Sequence, residues 1–272
     1  MLHSAPAGGN GMKLGLEGRV VLITGGSKGI GFACARAFAS EGSRVAIASR
    51  SEENLEGARH TLAHEGFEVI TARADFINPN EAQSAAARTE KLLGPIDVLI
   101  NSAGAAQRRP WEKLDSEAWH QGMDSKYFTY VHAMDAVRAG MIARNRGTIV
   151  NVIGLGGKAA STMHLSGGAA NAALMLVTGG FAYALGKYGI RVNAVNPGNT
   201  LTERLQEALR LDAEKQLITE AEALKRNEER VPLGRLAKPE EVAAVVLFLA
   251  SEQASYVTGA IIPMDGGRLA VI

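Results

Sequence analysis

Val20-Val-Leu-Ile-Thr-Gly-Gly-Ser-Lys-Gly-Ile-Gly31 is the stretch that decides the fold. Its first four residues are apolar and mostly β-branched, the character of a strand buried on both faces. The glycines at 25, 26, 29 and 31 then let the backbone turn sharply and approach a ligand with no Cβ in the way. From Ile30 onward Ile30, Ala33, Ala37 and Phe38 recur at helical spacing, so a helix begins where the glycines end. Strand, turn and helix N-terminus together direct free backbone N–H groups and the positive end of a helix dipole at one spot. A tight turn without a ligand fits the same pattern. The pyrophosphate of a dinucleotide is the expected guest once the rest of the chain is considered.

Composition narrows the class. A chain of 272 residues, 46% hydrophobic and 21% charged, is long enough for one large α/β core. A net charge of +1 gives no reason to expect nucleic acid or an anionic membrane surface as a partner. The single cysteine, Cys34, excludes an internal disulfide and is expected to pack on the sheet, with the cytoplasm as the default compartment. The apolar run 242–250 is too short to span a bilayer. Residues 1–13 lack the basic and apolar regions of a signal peptide and read as a flexible tail.

Strands and helices alternate along the remainder. Strands are expected at 44–48, 67–71, 96–100, 148–152, 190–195 and 260–263, and helices at 52–65, 79–93, 116–143, 165–188 and 239–250. Such alternation calls for a doubly wound parallel sheet with helices on both faces, in a single domain over 14–272. Residues 200–230 are charged and helix-prone, as a helical flap over a cleft or a plain solvated helix would be. At the end of the second strand stands Ser49-Arg50, with no carboxylate to hold a ribose 2′-hydroxyl. Arg50, with Lys28 in the glycine turn, favours NADP(H) over NAD(H).

The chain resembles the short-chain dehydrogenase/reductase family along nearly its whole length. The resemblance is carried by Thr24-Gly-Gly-Ser-Lys-Gly-Ile-Gly31, Asn101-Ser-Ala-Gly104, Arg191-Val-Asn-Ala-Val-Asn-Pro-Gly198, Pro232-Leu-Gly-Arg-Leu236 and Tyr256-Val-Thr-Gly259. It implies a Rossmann-type sheet of about seven strands. It also implies a dinucleotide held by Gly25, Ser27, Lys28, Gly29, Ile30 and Gly31, with Asp75 by the adenine, Asn101, Ala103 and Gly104 along the ribose, and Pro197, Gly198 and Thr202 near the nicotinamide. Members usually form tetramers through two long helices and the C-terminal segment, so a homotetramer, or a hetero-oligomer with an active relative, is implied.

Family chemistry rests on an asparagine, a serine and a Tyr-x-x-x-Lys pair, with the tyrosine moving the proton and the cofactor the hydride. Counted from the flanking motifs, the lysine position is Asn171, the tyrosine position Gly167, the serine position Gly154, and the asparagine position falls near Lys126. None of the four family residues stands there. Two glycines in place of larger side chains imply extra room beside the nicotinamide. Candidate replacements are His164, one turn before Gly167, whose imidazole suits proton transfer near neutrality, Lys126 as a cation from the neighbouring helix, and Lys158 in the loop after the fifth strand. No metal-ligand pattern is present around His60 and His64, and there is no Gly-x-Ser-x-Gly elbow.

Three readings remain open at this level. The first is an atypical NADP(H)-dependent oxidoreductase acting on a small carbonyl or alcohol. The second is a non-catalytic subunit or nucleotide-binding protein. The third is a cofactor-independent lyase or isomerase in the enlarged pocket. The survival of the cofactor residues favours the first.

Overall fold

The computed structural model of the chain describes residues 13–104 and 106–270, so of the expected tail only Lys13 is described and 1–12 lie outside. β1 (Val20–Thr24) leads through the glycine turn into α1 (Gly29–Ser40). Then follow β2 (Arg44–Ser49), α2 (Glu52–His64), β3 (Val69–Arg73), α3 (Pro79–Leu93) and β4 (Val98–Asn101). All strand pairs are parallel, and the seven-stranded order is β3-β2-β1-β4-β5-β6-β7, with β5 at Gly147–Val152, β6 at Ile190–Pro197 and β7 at Ile261–Met264.

β1 shows why a continuous apolar run is needed. Its residues alternate between the sheet's two faces. Val20 and Leu22 join one core with Ile149 of β5, Val192 of β6 and, from a covering helix, Tyr130 and Met134. Val21 and Ile23 join the other with Cys34, Phe38, Leu55 and Val246. α9 (Pro239–Ala250) supplies Val246 and lies beside α1. Helix starts carry their own local signals. The Ser51 side chain accepts the Asn54 N–H at 3.2 Å ahead of α2, and Asn78 accepts that of Asn80 at 3.0 Å with Pro79 in the first turn of α3.

The helix expected over 116–143 runs over that whole range, but its winding changes along the way. It divides into α4 (Ser116–Gly122), a π-helical segment Met123–Phe128, and α5 (Thr129–Ala143). The wide turn absorbs an extra residue and carries the Lys126 side chain to the buried face. Gly122 lets this bend sit on the next long helix, since a Cβ there would come within 2.6 Å of Ser166.

That helix, α6 (Leu165–Leu185), closes through a tighter turn at Gly186–Tyr188. By length and composition the segment Leu165–Tyr188 is apolar enough to cross a bilayer. It instead lies along β6, with Leu174 and Ala182 in the core and Asn171 and Thr178 on the buried side. Residues 200–230 form α7 (Glu203–Gln216) and α8 (Glu220–Glu228), which pack on each other through Leu209, Ala213 and Ala223.

Candidate active site

Strand order reverses at β1, whose neighbours β2 and β4 lead away in opposite directions. At such a switch point the loops leaving the strand ends part, and a crevice forms. A groove of about 520 Å³ lies there. On the β2–β3 side its wall carries Ser49, Arg50, Asn54 and Asp75, and on the β5–β6 side Gly154, Pro197, Gly198 and Thr202.

Between them sits the glycine turn. Gly25 adopts φ +67°, and a Cβ there would lie 2.8 Å from the backbone of Ala103, so only glycine allows the two loops to meet. Thr24 fastens the same junction, its hydroxyl oxygen accepting N–H bonds from Ser102 at 3.1 Å and Ala103 at 3.2 Å. The N-terminus of α1 has no side-chain cap and no acid in its first turn, which leaves it free to receive an anion. Gly25, Ser27, Lys28, Gly29, Ile30, Arg50, Asp75, Ala103, Gly104, Pro197, Gly198 and Thr202 all line the groove. These residues fit a phosphorylated dinucleotide, since the open helix N-terminus can receive an anion and Arg50 adds a cation to the wall.

Gly31 and Asn101 do not line it. A Cβ on Gly31 would fall 2.1 Å from the Gly25 carbonyl oxygen, so its part is to close the turn. Asn101 points below the groove and is fully buried. Its side-chain amide donates to Asn151 Oδ1 at 2.9 Å, Asn151 donates to Thr178 Oγ1 at 3.0 Å, and Thr178 donates to the Leu174 carbonyl at 2.8 Å. These three interior side chains are thereby paired, and β4, β5 and α6 are tied together. Lys28 does not stand as an isolated cation either, because its Nζ meets Glu203 Oε2 at 3.1 Å across the groove.

Gly154, two residues past the end of β5, has φ +130°, a conformation in which a side chain is strained. Asn171, on α6, approaches it, and a Cβ at Gly154 would contact the Asn171 Nδ2 at 3.4 Å. The expected room at Gly167 is filled. The His164 imidazole lies over this glycine, so that a Cβ would come within 2.1 Å of the ring and 2.9 Å of Ala106. His164 is half-buried, and its Nδ1 has no hydrogen-bond partner among the described residues, nor has Asn171 Oδ1. Burial, then the charges of Arg108 and Lys126, hold the His164 pKa below its ordinary value, so the ring is neutral at pH 7. Neither His164 nor Asn171 reaches the groove wall, and Lys158 is exposed beyond it.

Lys126 is the candidate that does line the groove. Only 7% exposed, it places Nζ 2.8 Å from the Tyr130 hydroxyl and 3.0 Å from the Val152 carbonyl oxygen. The Tyr130 hydroxyl in turn donates to that same carbonyl. No carboxylate among the described residues pairs with the amine. Burial, and secondarily the charge of Arg204, which also lines the groove, pull the Lys126 pKa down to about 7. Burial pushes the Tyr130 pKa up, so the phenol keeps its proton. The groove side of this arrangement is made by Gly104 (φ +97°), where a Cβ would strike the Ser125 carbonyl at 2.1 Å.

Residues 25–268 match the enoyl-(acyl carrier protein) reductase family of sequences. The chain belongs to the short-chain dehydrogenase/reductase family. It is 31% identical over 252 residues to gluconate 5-dehydrogenase of Gluconobacter oxydans, covering 93% of this chain and 95% of that one. With 3-oxoacyl-acyl-carrier-protein reductase of Thermotoga maritima it shares 36% identity over 263 residues, 93% of this chain and 98% of the relative. Among solved structures, L-sorbose reductase from Gluconobacter frateurii, complexed with NADPH and L-sorbose, superposes with a TM-score of 0.91 at 28% identity, covering 96% of this chain and all of that one. These relatives are dehydrogenases and reductases by name.

Sequence reasoning names Lys126 without its setting. Tyr130, one helical turn on, carries a readable signal in the Lys-x-x-x-Tyr spacing, which puts both side chains on one helix face. Arg204 and its position on the rim carry none.

Proposed function

We propose that this chain is an NADP(H)-dependent oxidoreductase interconverting a carbonyl and an alcohol on a small molecule, with Lys126 rather than a tyrosine handling the proton. Dehydrogenase and reductase relatives over nearly the full length, one of them solved with NADPH, support the reaction class. Arg50 and Lys28, with no carboxylate at the end of β2, support NADP(H) over NAD(H). On the motif alignment the family's serine, tyrosine and lysine positions are Gly154, Gly167 and Asn171, none of which can donate and retake a proton. The observation that carries the reading is the Lys126 amine, buried in the groove wall with no carboxylate beside it.

When bound, the dinucleotide supplies or accepts the hydride. Protonated Lys126 spends two N–H bonds on the Tyr130 oxygen and the Val152 carbonyl, and its third is available to a substrate oxygen in the groove. A pKa near 7 lets the amine both give and recover that proton at neutral pH. Tyr130 and Val152 position it. The neutral His164 ring and exposed Lys158 rank behind Lys126, because neither lines the groove. Assembly as a homotetramer belongs to the same proposal, with Leu176 and Tyr183 of α6 exposed and available for the contact.

Purified protein tested with NADPH against ketoses, 2-oxo acids, 3-oxoacyl thioesters and quinones is expected to turn over at least one class. In Lys126→Met, kcat for that substrate should fall by about 10²–10⁴ while the NADPH dissociation constant holds. Silence across the panel with NADPH bound, or full activity in Lys126→Met, overturns the proposal.

A further inference from the structure

We infer that Lys126 is also a nucleophilic amine that forms a reversible covalent imine with small aldehydes and ketones entering the groove. The inference goes beyond the oxidoreductase reading and needs no dinucleotide.

The hydrogen-bond geometry assigns it. Val152 offers only a carbonyl oxygen, and the Tyr130 hydroxyl has committed its proton to that carbonyl, so both neighbours of Nζ act as acceptors toward it. A neutral amine has two N–H bonds and one lone pair. Tyr130 and Val152 take both N–H bonds, and the lone pair is left in the remaining tetrahedral position, with the groove as the open space beside the side chain. Nothing among the described residues competes for it, since no donor reaches Nζ beyond the two acceptors already named. The second requirement is that the amine be unprotonated at working pH. Burial together with a neighbouring cation is the environment that activates a lysine for this chemistry, and here the cation is Arg204, which lines the same groove. With a pKa near 7, about a thousandfold more free amine is present at pH 7 than for a solvated lysine.

The step balances without an oxidant or reductant. The Nζ lone pair attacks the carbonyl carbon, and one of the two protons on nitrogen passes to the carbonyl oxygen to give a neutral carbinolamine. Loss of that oxygen as water, with one further proton taken from solvent, leaves a C=N bond and a single N–H on nitrogen. That N–H retains a hydrogen bond to the Val152 carbonyl, which favours the protonated iminium. Water adding back to the carbon reverses the sequence and exchanges the carbonyl oxygen with solvent.

The test is reductive trapping. Full-length protein without dinucleotide is incubated with acetaldehyde or acetone and sodium cyanoborohydride from pH 5.5 to 10, and alkylated lysines are mapped by mass spectrometry. Lys126 should be modified ahead of surface lysines such as Lys13 and Lys91 at pH 7, with a labelling midpoint near 7 and protection by added NADPH. Wild-type protein should also accelerate oxygen-isotope exchange between acetone and water, and Lys126→Met, checked for native circular dichroism, should not. Label confined to surface lysines, or a Lys126 midpoint near 10, overturns the inference. Label confined to surface lysines leaves the oxidoreductase proposal standing, since NADPH turnover decides that separately, whereas a midpoint near 10 also removes the proton exchange at neutral pH that the proposal assigns to Lys126.

Discussion

Replacing Lys126 by methionine should make the protein more stable at neutral pH, and by an amount that shrinks as the solution becomes alkaline. Lys126 titrates at its ordinary 10.5 in the unfolded chain and near 7 in the folded one. Between those values the unfolded state binds more protons, so folding stability rises with pH across this window. The penalty is small above 10.5, where both states are neutral, and complete below 7, where both are protonated. From the two pKa values it is about 4 kcal/mol at pH 7 and about 1 kcal/mol at pH 10. Methionine removes the penalty and keeps most of the packing, and its own cost is the hydrogen bond to the Tyr130 oxygen, about 1 kcal/mol. The Val152 carbonyl keeps its bond from Tyr130. Lys126→Met should therefore gain about 3 kcal/mol over wild type at pH 7 and come level with it near pH 10. Urea unfolding of both proteins at one protein concentration, in steps from pH 6 to 10, reads the difference directly. A gap that stays constant with pH would show that the amine is solvated, and the reasoning about the groove wall would fail with it.

Arg50→Ala should weaken NADPH binding about 10- to 100-fold, the worth of a charge-assisted contact to a 2′-phosphate, and leave NADH nearly unchanged; fluorescence titration with both dinucleotides checks this. Gly167→Tyr, which puts the family's tyrosine back, should not create activity, because its Cβ would overlap the His164 ring. The overlap should cost about 1–3 kcal/mol of stability, and adding His164→Gly should recover part of it in thermal melts. Cys34 is buried and its thiol is pushed up to about 12, so iodoacetamide at pH 8 should label it only in denaturant. Leu217, exposed with φ +53° at the end of α7, should give about 1 kcal/mol of added stability on conversion to glycine, measured by urea unfolding.

The sheet is legible in the primary structure because its signals are local. The apolar run of β1, the glycines after it and the capping residues ahead of α2 and α3 act within a few positions, and α9 occupies the expected 239–250. What escapes such reading depends on contacts far apart in the chain. A π-helical segment inside 116–143 leaves the apolar pattern intact while turning Lys126 inward. Asn101 belongs to a motif that suggests a ligand contact, yet its partner Asn151 and, one bond further, Thr178 lie on other elements. Vacant space at a glycine is the hardest to foresee, since whether it stays empty depends on a loop such as the one that lays His164 over Gly167.

The α7–α8 pair keeps its apolar cluster to itself and is tied down at its base, where Leu201 donates to the Ala237 carbonyl at 2.8 Å and Leu233 to that of Gly266 at 3.2 Å. Swinging this hairpin therefore breaks none of the packing that holds the sheet. Its amides should exchange with solvent at a rate set by local excursions, while those of β4 and β5, locked by interior carboxamides, wait for the whole molecule to open. Breathing at the rim and endurance of the floor are thus separately adjustable, and a substitution that slows one need not slow the other.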